Sequence, residues 1–318
     1  MFHFLVRRFI GAIFVVMGVS FITFVIGYFT PIDPIRQMMG QHYTYASWLV
    51  LRHQYGLDLP WYQQYYNFLV HFAHFDLRSI HSQDRLVLDI LKDGVPISAE
   101  LASWGLALTL LLGIPAGVIS AVKANTWIDT SNMILALILY ALPSFIIAVF
   151  AQVIIVWLNV HTGSSWPVAN WGTPWHYTWS DLQYKIVPIV VYAGAGYAYF
   201  ARLARTSMLE VLNQDYIRTA RAKGLVEHVV IYTHALRNAL VPLITSIGLA
   251  IGLLIVGSLF IERIFNIQGI AQITINAVIG GDYPVIQVTA MLSALGIVLG
   301  NLLSDVLYTI VDPRIKLS

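Results

Sequence analysis

The residues best suited to recognise a partner lie in one polar stretch, residues 202–242, between two long apolar runs. Within it, mostly apolar residues recur at three- and four-residue spacing, namely Leu209, Leu212, Tyr216 and Ala220. Charged residues fall on the other sides, and this pattern predicts an amphipathic helix. Because such a helix would leave the membrane between two apolar runs, its polar side is available for binding another protein.

Gly224 is predicted to end this helix. It follows a basic last turn that contains Arg221 and Lys223. Glycine adopts the left-handed conformation that ends many helices, and cations near a helix C-terminus offset the helix dipole. We therefore predict a sharp reversal at Gly224 and a second helix from about Glu227 that enters the membrane.

Motifs for catalysis or metal binding are missing from the sequence. No lysine follows a glycine as the phosphate-binding loop of an ATPase requires, and neither G-x-S-x-G nor H-E-x-x-H occurs. His71, His74 and His81 lie near one another in sequence, but no neighbouring Cys or Glu completes a ligand set. We predict no catalytic residue, no metal site and no cofactor.

The composition is that of an integral membrane protein. Of 318 residues, 58% are hydrophobic and 11% are charged, and the mean hydropathy is +0.72. A net charge of +2 gives no reason to expect nucleic-acid binding, and the lack of cysteine excludes disulfides and thiolate metal sites. Asp305 is the main ionisable residue expected within a span, near its cytoplasmic end, which disfavours an ion-coupled carrier.

Six apolar runs are long enough to cross a bilayer, and they predict an all-α membrane protein. They cover residues 9–29, 99–122, 130–158, 185–201, 238–260 and 285–310. The division expected is a first transmembrane helix (1–30), an extracytoplasmic helical module (31–98) and a five-helix core (99–318) with a cytoplasmic loop at 202–237. Most cations near span ends lie on the side of the termini, so we predict that both termini are cytoplasmic.

The polar stretch resembles the cytoplasmic EAA loop of ABC importer permeases. Its E-A-A-x-x-x-G element corresponds to Arg218, Thr219, Ala220 and Gly224, with the first two consensus residues replaced. The segments D-Y-I-R-T-A-R-A-K-G-L and H-A-L-R-N-A-L-V-P resemble the dipeptide/oligopeptide/nickel branch of that family. So do G-L-D-L-P at 56–60, E-R-I-F at 262–265, D-Y-P at 282–284 and D-P-R-I at 312–315.

This resemblance implies the type I ABC importer permease fold and a role as a passive half of a translocation path in the plasma membrane. The implied partners are a paralogous permease forming a heterodimer, two ATP-binding subunits, an extracytoplasmic substrate-binding protein and a peptide substrate. The residues implied in ATPase docking are Asp215, Tyr216, Arg218, Thr219, Ala220, Arg221, Ala222, Lys223 and Gly224. Alternatives are a permease for nickel or another small solute, and a channel or scaffold without an ATPase.

Overall fold

The structure is a computed structural model that describes residues 2–82 and 85–311, so the D-P-R-I segment at 312–315 lies outside the described residues. Within these ranges the chain forms helices and one isolated β-bridge, between Arg78 and Leu86, but no strand. The N-terminal part contains α1 (Phe2–Phe29), α2 (Pro34–Met39), α3 (Tyr45–Gln54) and α4 (Trp61–His74), with a 3-10 turn at Gly40–His42.

Among the described residues, ten further helices follow the β-bridge. They are α5 (Val87–Val122), α6 (Trp127–Ala141), α7 (Ser144–Thr162), α8 (Trp179–Leu212), α9 (Asp215–Ala222), α10 (Glu227–Val229), α11 (Leu236–Gly252), α12 (Leu259–Ile264), α13 (Ile270–Gly280) and α14 (Tyr283–Val311). A π-helical segment, Val230–Ala235, joins α10 to α11, and a 3-10 turn, Leu253–Ile255, follows α11.

In the part of the chain that the structure describes, six helical segments are long and apolar enough to cross a membrane, as the sequence predicts. They are Val6–Phe29, Val87–Val122, Ser144–Thr162, Trp179–Leu212, Glu227–Gly252 and Tyr283–Val306. Their limits differ from the predicted runs because a hydropathy run follows only the apolar part of a helix. The second span begins twelve residues before 99 and the fourth continues past 201 to Leu212. The fifth ends at Gly252 and does not reach 260.

The prediction of one continuous span over 130–158 is wrong. The chain forms two helices there, and the break falls at Pro143. Leu142 has extended backbone angles, φ −83° and ψ 121°, as the residue before a proline prefers. Proline also lacks the N–H that would continue the hydrogen-bonded ladder. Only the second of these helices, α7, reaches transmembrane length.

The centre of the bundle is the packing of α5 against α8. At Gly117 in α5, a Cβ atom would lie 2.3 Å from the backbone oxygen of Ala201 in α8. Any side chain at this position would separate the two helices, so glycine permits their close contact.

The module formed by α2, α3 and α4 is attached to the bundle at the start of α14. Asp282 is buried and accepts a hydrogen bond from the Ser79 hydroxyl and from the backbone N–H groups of Ile80 (3.2 Å) and His81 (3.3 Å). At the opposite end of α14, Asp305 forms an ion pair with Arg8 near the start of α1. Asp305 therefore lies at the same end of the bundle as the N-terminus.

Candidate functional site

The polar stretch folds into two helices where a single amphipathic helix was predicted. The long helix α8 continues to Leu212, and α9 begins at Asp215. Between them, Gln214 has an extended ψ of 149°, which interrupts the helical phase. The side chain of Asn213 bonds back to the carbonyl of Leu209 at 2.9 Å and so covers an open carbonyl at the end of α8.

One face of α9 is part of the protein core. Ile217 is fully buried and Ala220 is 9% exposed, and both belong to an apolar cluster contributed by α5, α8, α9 and the start of the fifth span. Its other buried members are Val118, Ala121, Met208, Val230, Ile231, Ala235 and Ala239. Because side chains from four elements share this cluster, α9 is attached to the bundle as a rigid unit.

The other face of α9 is open to the surroundings of the chain. Its exposed residues are Asp215, Tyr216, Arg218, Thr219, Arg221 and Ala222, and the exposure continues through Lys223 and Gly224. Eight of the nine residues predicted to dock an ATPase are therefore exposed together. The structure places Ala220 on the opposite face, in the core, where it shares one apolar cluster with Leu209 and Leu212, and it is Tyr216 of the predicted apolar pattern that is exposed.

The reversal predicted at Gly224 is present. Gly224 has a φ of +78°, in the left-handed region, and no heavy atom lies within 4 Å of the place where its Cβ would be. The requirement for glycine here comes from the backbone conformation and not from lack of space. The N–H of Gly224 donates to the carbonyl of Arg221 at 2.9 Å, and that of Leu225 donates to the carbonyl of Ala220 at 3.4 Å, which caps α9.

Two polar contacts join α9 to the beginning of the fifth span. The Arg221 guanidinium donates to Glu227 through Nη2 (2.7 Å) and Nε (3.1 Å), and this hydrogen bonding raises the pKa of Arg221. The Asn238 amide donates to the Tyr216 hydroxyl at 2.7 Å. The roles of Glu227, Asn238 and Ile217 were missed from the sequence. The role of Glu227 could have been predicted, because an acidic residue six positions after Arg221 is a candidate partner for its guanidinium. The contact of Asn238 could not, because it depends on the tertiary fold.

The histidines considered for a metal site are His71, His74 and His81. His71 Nδ1 lies 2.9 Å from Asp76 Oδ1 on the surface of the module. Over residues 2–82 and 85–311, no three His, Cys, Asp or Glu side chains are grouped as metal ligands would be.

Comparisons with known proteins all point to the same family. The model of the "Binding-protein-dependent transport system inner membrane component" family matches residues 113–317, and the N-terminal model of the same kind of component matches residues 1–102. The chain is 36% identical over 316 residues to the oligopeptide transport system permease protein AppB of Bacillus subtilis (strain 168), covering 98% of this chain and 99% of that protein.

Two further similarities agree with this match. The dipeptide transport system permease protein DppB of Alkalihalophilus pseudofirmus is 33% identical over 330 residues, covering 98% of each chain. Among solved structures, the inward-facing MetNI methionine ABC transporter matches with a TM-score of 0.57 and 19% identity, over 70% of this chain and 97% of that chain. The second match supports the type I importer fold alone. The chain belongs to the binding-protein-dependent transport system inner membrane component family and is a membrane-spanning permease subunit of an ABC importer.

Proposed function

We propose that this permease imports di- or oligopeptides. The relatives reported above are named for oligopeptide and dipeptide transport and match nearly the whole chain. In the proposed assembly, a paralogous permease supplies the other half of the path, two ATP-binding subunits supply energy, and an extracytoplasmic binding protein delivers the substrate. The chain itself catalyses no reaction. A nickel chelate or another small solute is the second candidate, because the D-Y-I-R-T-A-R-A-K-G-L segment resembles a branch that includes nickel importers.

We further propose that the outer face of α9 docks an ATP-binding subunit. The docking residues are Asp215, Tyr216, Arg218, Thr219, Arg221, Ala222, Lys223 and Gly224, and Ala220 supports this face by packing behind it in the core. The observation that carries this proposal is that only one face of α9 is buried. Its inner face is locked into a cluster shared with α5, α8 and the fifth span, while its polar outer face is exposed. A displacement of α9 would therefore move three membrane helices together.

Such coupling requires that ATP bind to the two conformations of the transporter with different affinities. A ligand shifts a conformational equilibrium only by its difference in affinity for the two states. In the proposed mechanism, the ATP-binding subunits close on ATP and carry the α9 helices of both permeases with them. The rigid attachment of α9 then converts closure into rocking of the two halves between outward-open and inward-open states.

The proposed orientation has both termini and α9 in the cytoplasm. It is supported by the cations that lie near the terminal ends of the spans, including Lys123, Arg202 and Arg205. In this orientation, residues 31–98 form a module outside the membrane, residues 1–30 provide the first span, and residues 99–318 provide the core with the coupling loop 202–237.

A pair of alanine substitutions tests docking. Ala222→Trp adds a large side chain to the exposed face of α9, where it leaves the apolar cluster untouched. We expect normal insertion and heterodimer formation, but loss of the ATP-binding subunits on purification and loss of peptide uptake. The matched control is Ala46→Trp at another exposed alanine, in α3, which should retain both. Retention of the ATP-binding subunits by Ala222→Trp would refute the docking surface.

Two measurements separate the remaining alternatives. In the first, the partner binding protein is purified from growing cells and its bound ligand is identified by mass spectrometry. A bound peptide or a bound nickel chelate then identifies the substrate class. Co-purification of stoichiometric ATP-binding subunits distinguishes the importer from a channel or scaffold, because only the importer requires them. A binding protein carrying metal chelate and no peptide would contradict the proposed substrate.

A further inference from the structure

Arg202 places a positive charge inside the fourth span. Its backbone belongs to α8, which continues to Leu212, and in the proposed orientation it lies toward the cytoplasmic end. The side chain points the other way. Its Nε donates to the carbonyl of Ala198 at 3.2 Å, one turn nearer the middle of the helix, and its guanidinium carbon lies 4.0 Å from the centre of the Tyr140 ring. Arginine in a span normally extends toward the nearer membrane surface, so the opposite direction indicates a polar space at this depth.

The terminal nitrogens of Arg202 have no acceptor among residues 2–82 and 85–311. The bond from Nε to Ala198 is the hydrogen bond of this half-buried side chain, and no acid of the described chain lies within ion-pair distance of it. Arg205, on the next turn, differs, because its Nε and Nη2 donate to Asp129 at 2.6 and 2.7 Å. The planar fork of Arg202 is therefore available for two parallel hydrogen bonds, the arrangement in which guanidinium binds a carboxylate.

The end of α6 lies at the same depth and cannot face lipid. A Cβ on Gly194, near the midpoint of α8, would lie 3.7 Å from Leu139, so the last turn of α6 is beside the middle of the fourth span. The chain then breaks at Leu142 and Pro143, which are exposed in the isolated chain. A helix end leaves backbone carbonyls open, and within a membrane such backbone occurs only where protein buries it or where it lines a polar cavity. This break therefore faces the translocation path or the partner permease.

Hydroxyl groups continue the polar surface from Arg202 toward α11. The Tyr199 hydroxyl lies 3.0 Å from Ser246 Oγ, and Tyr199 and Tyr140 are 45% and 60% exposed. The outer side of α7 is different, because every exposed side chain between 149 and 158 is apolar. Lipid suits the surface of α7, whereas hydroxyl groups and an arginine between α6 and α11 suit a path that contains water.

We propose that Arg202 lines the translocation path and binds the terminal carboxylate of a peptide in transit, with Tyr140 holding the guanidinium in position. This inference rests on the proposed peptide substrate. A linear peptide carries this carboxylate whatever its side chains, so one cation can act on substrates of different sequence. Removing a carboxylate from water is costly, and a fixed cation at this depth offsets that cost. Arg202 would thus favour substrates that have a free carboxyl terminus.

Uptake of two matched peptides by two permeases tests this pairing. The complete importer in proteoliposomes, supplied with saturating binding protein, takes up a radiolabelled tripeptide whose C-terminus is either free or amidated. The binding protein is the same in every reaction, so its own preference cancels when permeases are compared. Arg202→Gln should lower the initial uptake rate of the free acid about tenfold, because a charge-assisted pair is lost, and should not lower that of the amide.

Two further variants complete the experiment. Arg202→Lys keeps the charge but not the planar fork, so uptake of the free acid should fall by less than in Arg202→Gln, and this variant decides the question if Arg202→Gln does not assemble with the ATP-binding subunits. Lys123→Gln is the control, because it removes an exposed cation at the end of α5. Its ratio of acid to amide uptake should stay within about twofold of the parent ratio.

Three results would overturn the proposal. Arg202→Gln could lower the uptake of both peptides by the same factor, which would show that the cation acts on the transporter and not on the carboxylate. It could leave both rates unchanged. It could lose the partner permease on purification, which would assign the guanidinium to an ion pair across the interface. Uptake of neither peptide by the parent importer would contradict the proposed function itself, and this inference with it.

Discussion

Lys185 Nζ lies 2.8 Å from Glu100 Oε1, and the two side chains are 1% and 0% exposed. The remaining donors of Lys185 go to the carbonyls of Thr173 and His176, each at 2.8 Å. The other oxygen of Glu100 accepts from the Trp171 indole N–H (2.9 Å) and the Trp175 backbone N–H (2.8 Å). The pair therefore fastens α5 and α8 to the loop that connects α7 with α8.

We expect Lys185→Met to destabilise the protein by roughly 3–5 kcal/mol, because it leaves a buried carboxylate without its cation. The double change Lys185→Met/Glu100→Gln should recover part of this loss, since neither remaining group carries a charge. Thermal unfolding of the purified complex in detergent measures the difference. Lys92→Met is the control, because Lys92 forms an exposed pair with Asp89 that is worth at most about 1 kcal/mol. A melting temperature for Lys185→Met that equals that of Lys92→Met would contradict the proposed importance of the buried pair.

Gly224→Val should uncouple transport from ATP hydrolysis. A left-handed conformation costs an L-residue about 1–2 kcal/mol, and a β-branched side chain more. We therefore expect the peptide transported per ATP hydrolysed to fall roughly 5- to 30-fold in proteoliposomes. Gly224→Asn should have a milder effect, because asparagine tolerates this region better.

Gly163→Val is the matched control for that experiment. Gly163 ends α7 with a φ of +68° and also has no heavy atom within 4 Å of its Cβ position, so the substitution imposes similar strain away from α9. It should leave the coupling ratio unchanged. Near-parental coupling in both Gly224 variants would show that the conformation of this turn is not needed.

The proposed orientation can be tested with single cysteines, because the chain has none of its own. Ser47 in α3 and Lys123 after α5 are both exposed. Ser47→Cys should react with a membrane-impermeant maleimide in spheroplasts, and Lys123→Cys should react only after the membrane is permeabilised. Labelling of Lys123→Cys before permeabilisation would contradict the proposed orientation.

Properties that depend on a short piece of chain could be predicted from the sequence. The number of spans follows from the apolar content of about twenty consecutive residues at a time. The reversal at Gly224 follows from backbone sterics at one residue, and the start of the next helix at Glu227 follows from that reversal. The family resemblance rests on the same local motifs, and the comparisons confirm it.

The helix limits and the orientation of α9 required the tertiary structure. Asp89, Lys92 and Asp93 belong to α5 although hydropathy excluded them, because that helix continues beyond its apolar part. Ala220 lies in the core with Leu209 and Leu212, whereas Tyr216 is exposed after the break at 213–214, and an uninterrupted helical pattern could not reveal this difference.

The amino-acid sequence by itself determined the class of the protein, its six spans and the place of its polar loop, since each of these depends on residues close together in the chain. Only the tertiary structure decided that Glu100 and Lys185, 85 positions apart and inside two predicted apolar runs, neutralise each other. Contacts over such separations depend on how helices pack, and the local composition of each helix is compatible with many packings.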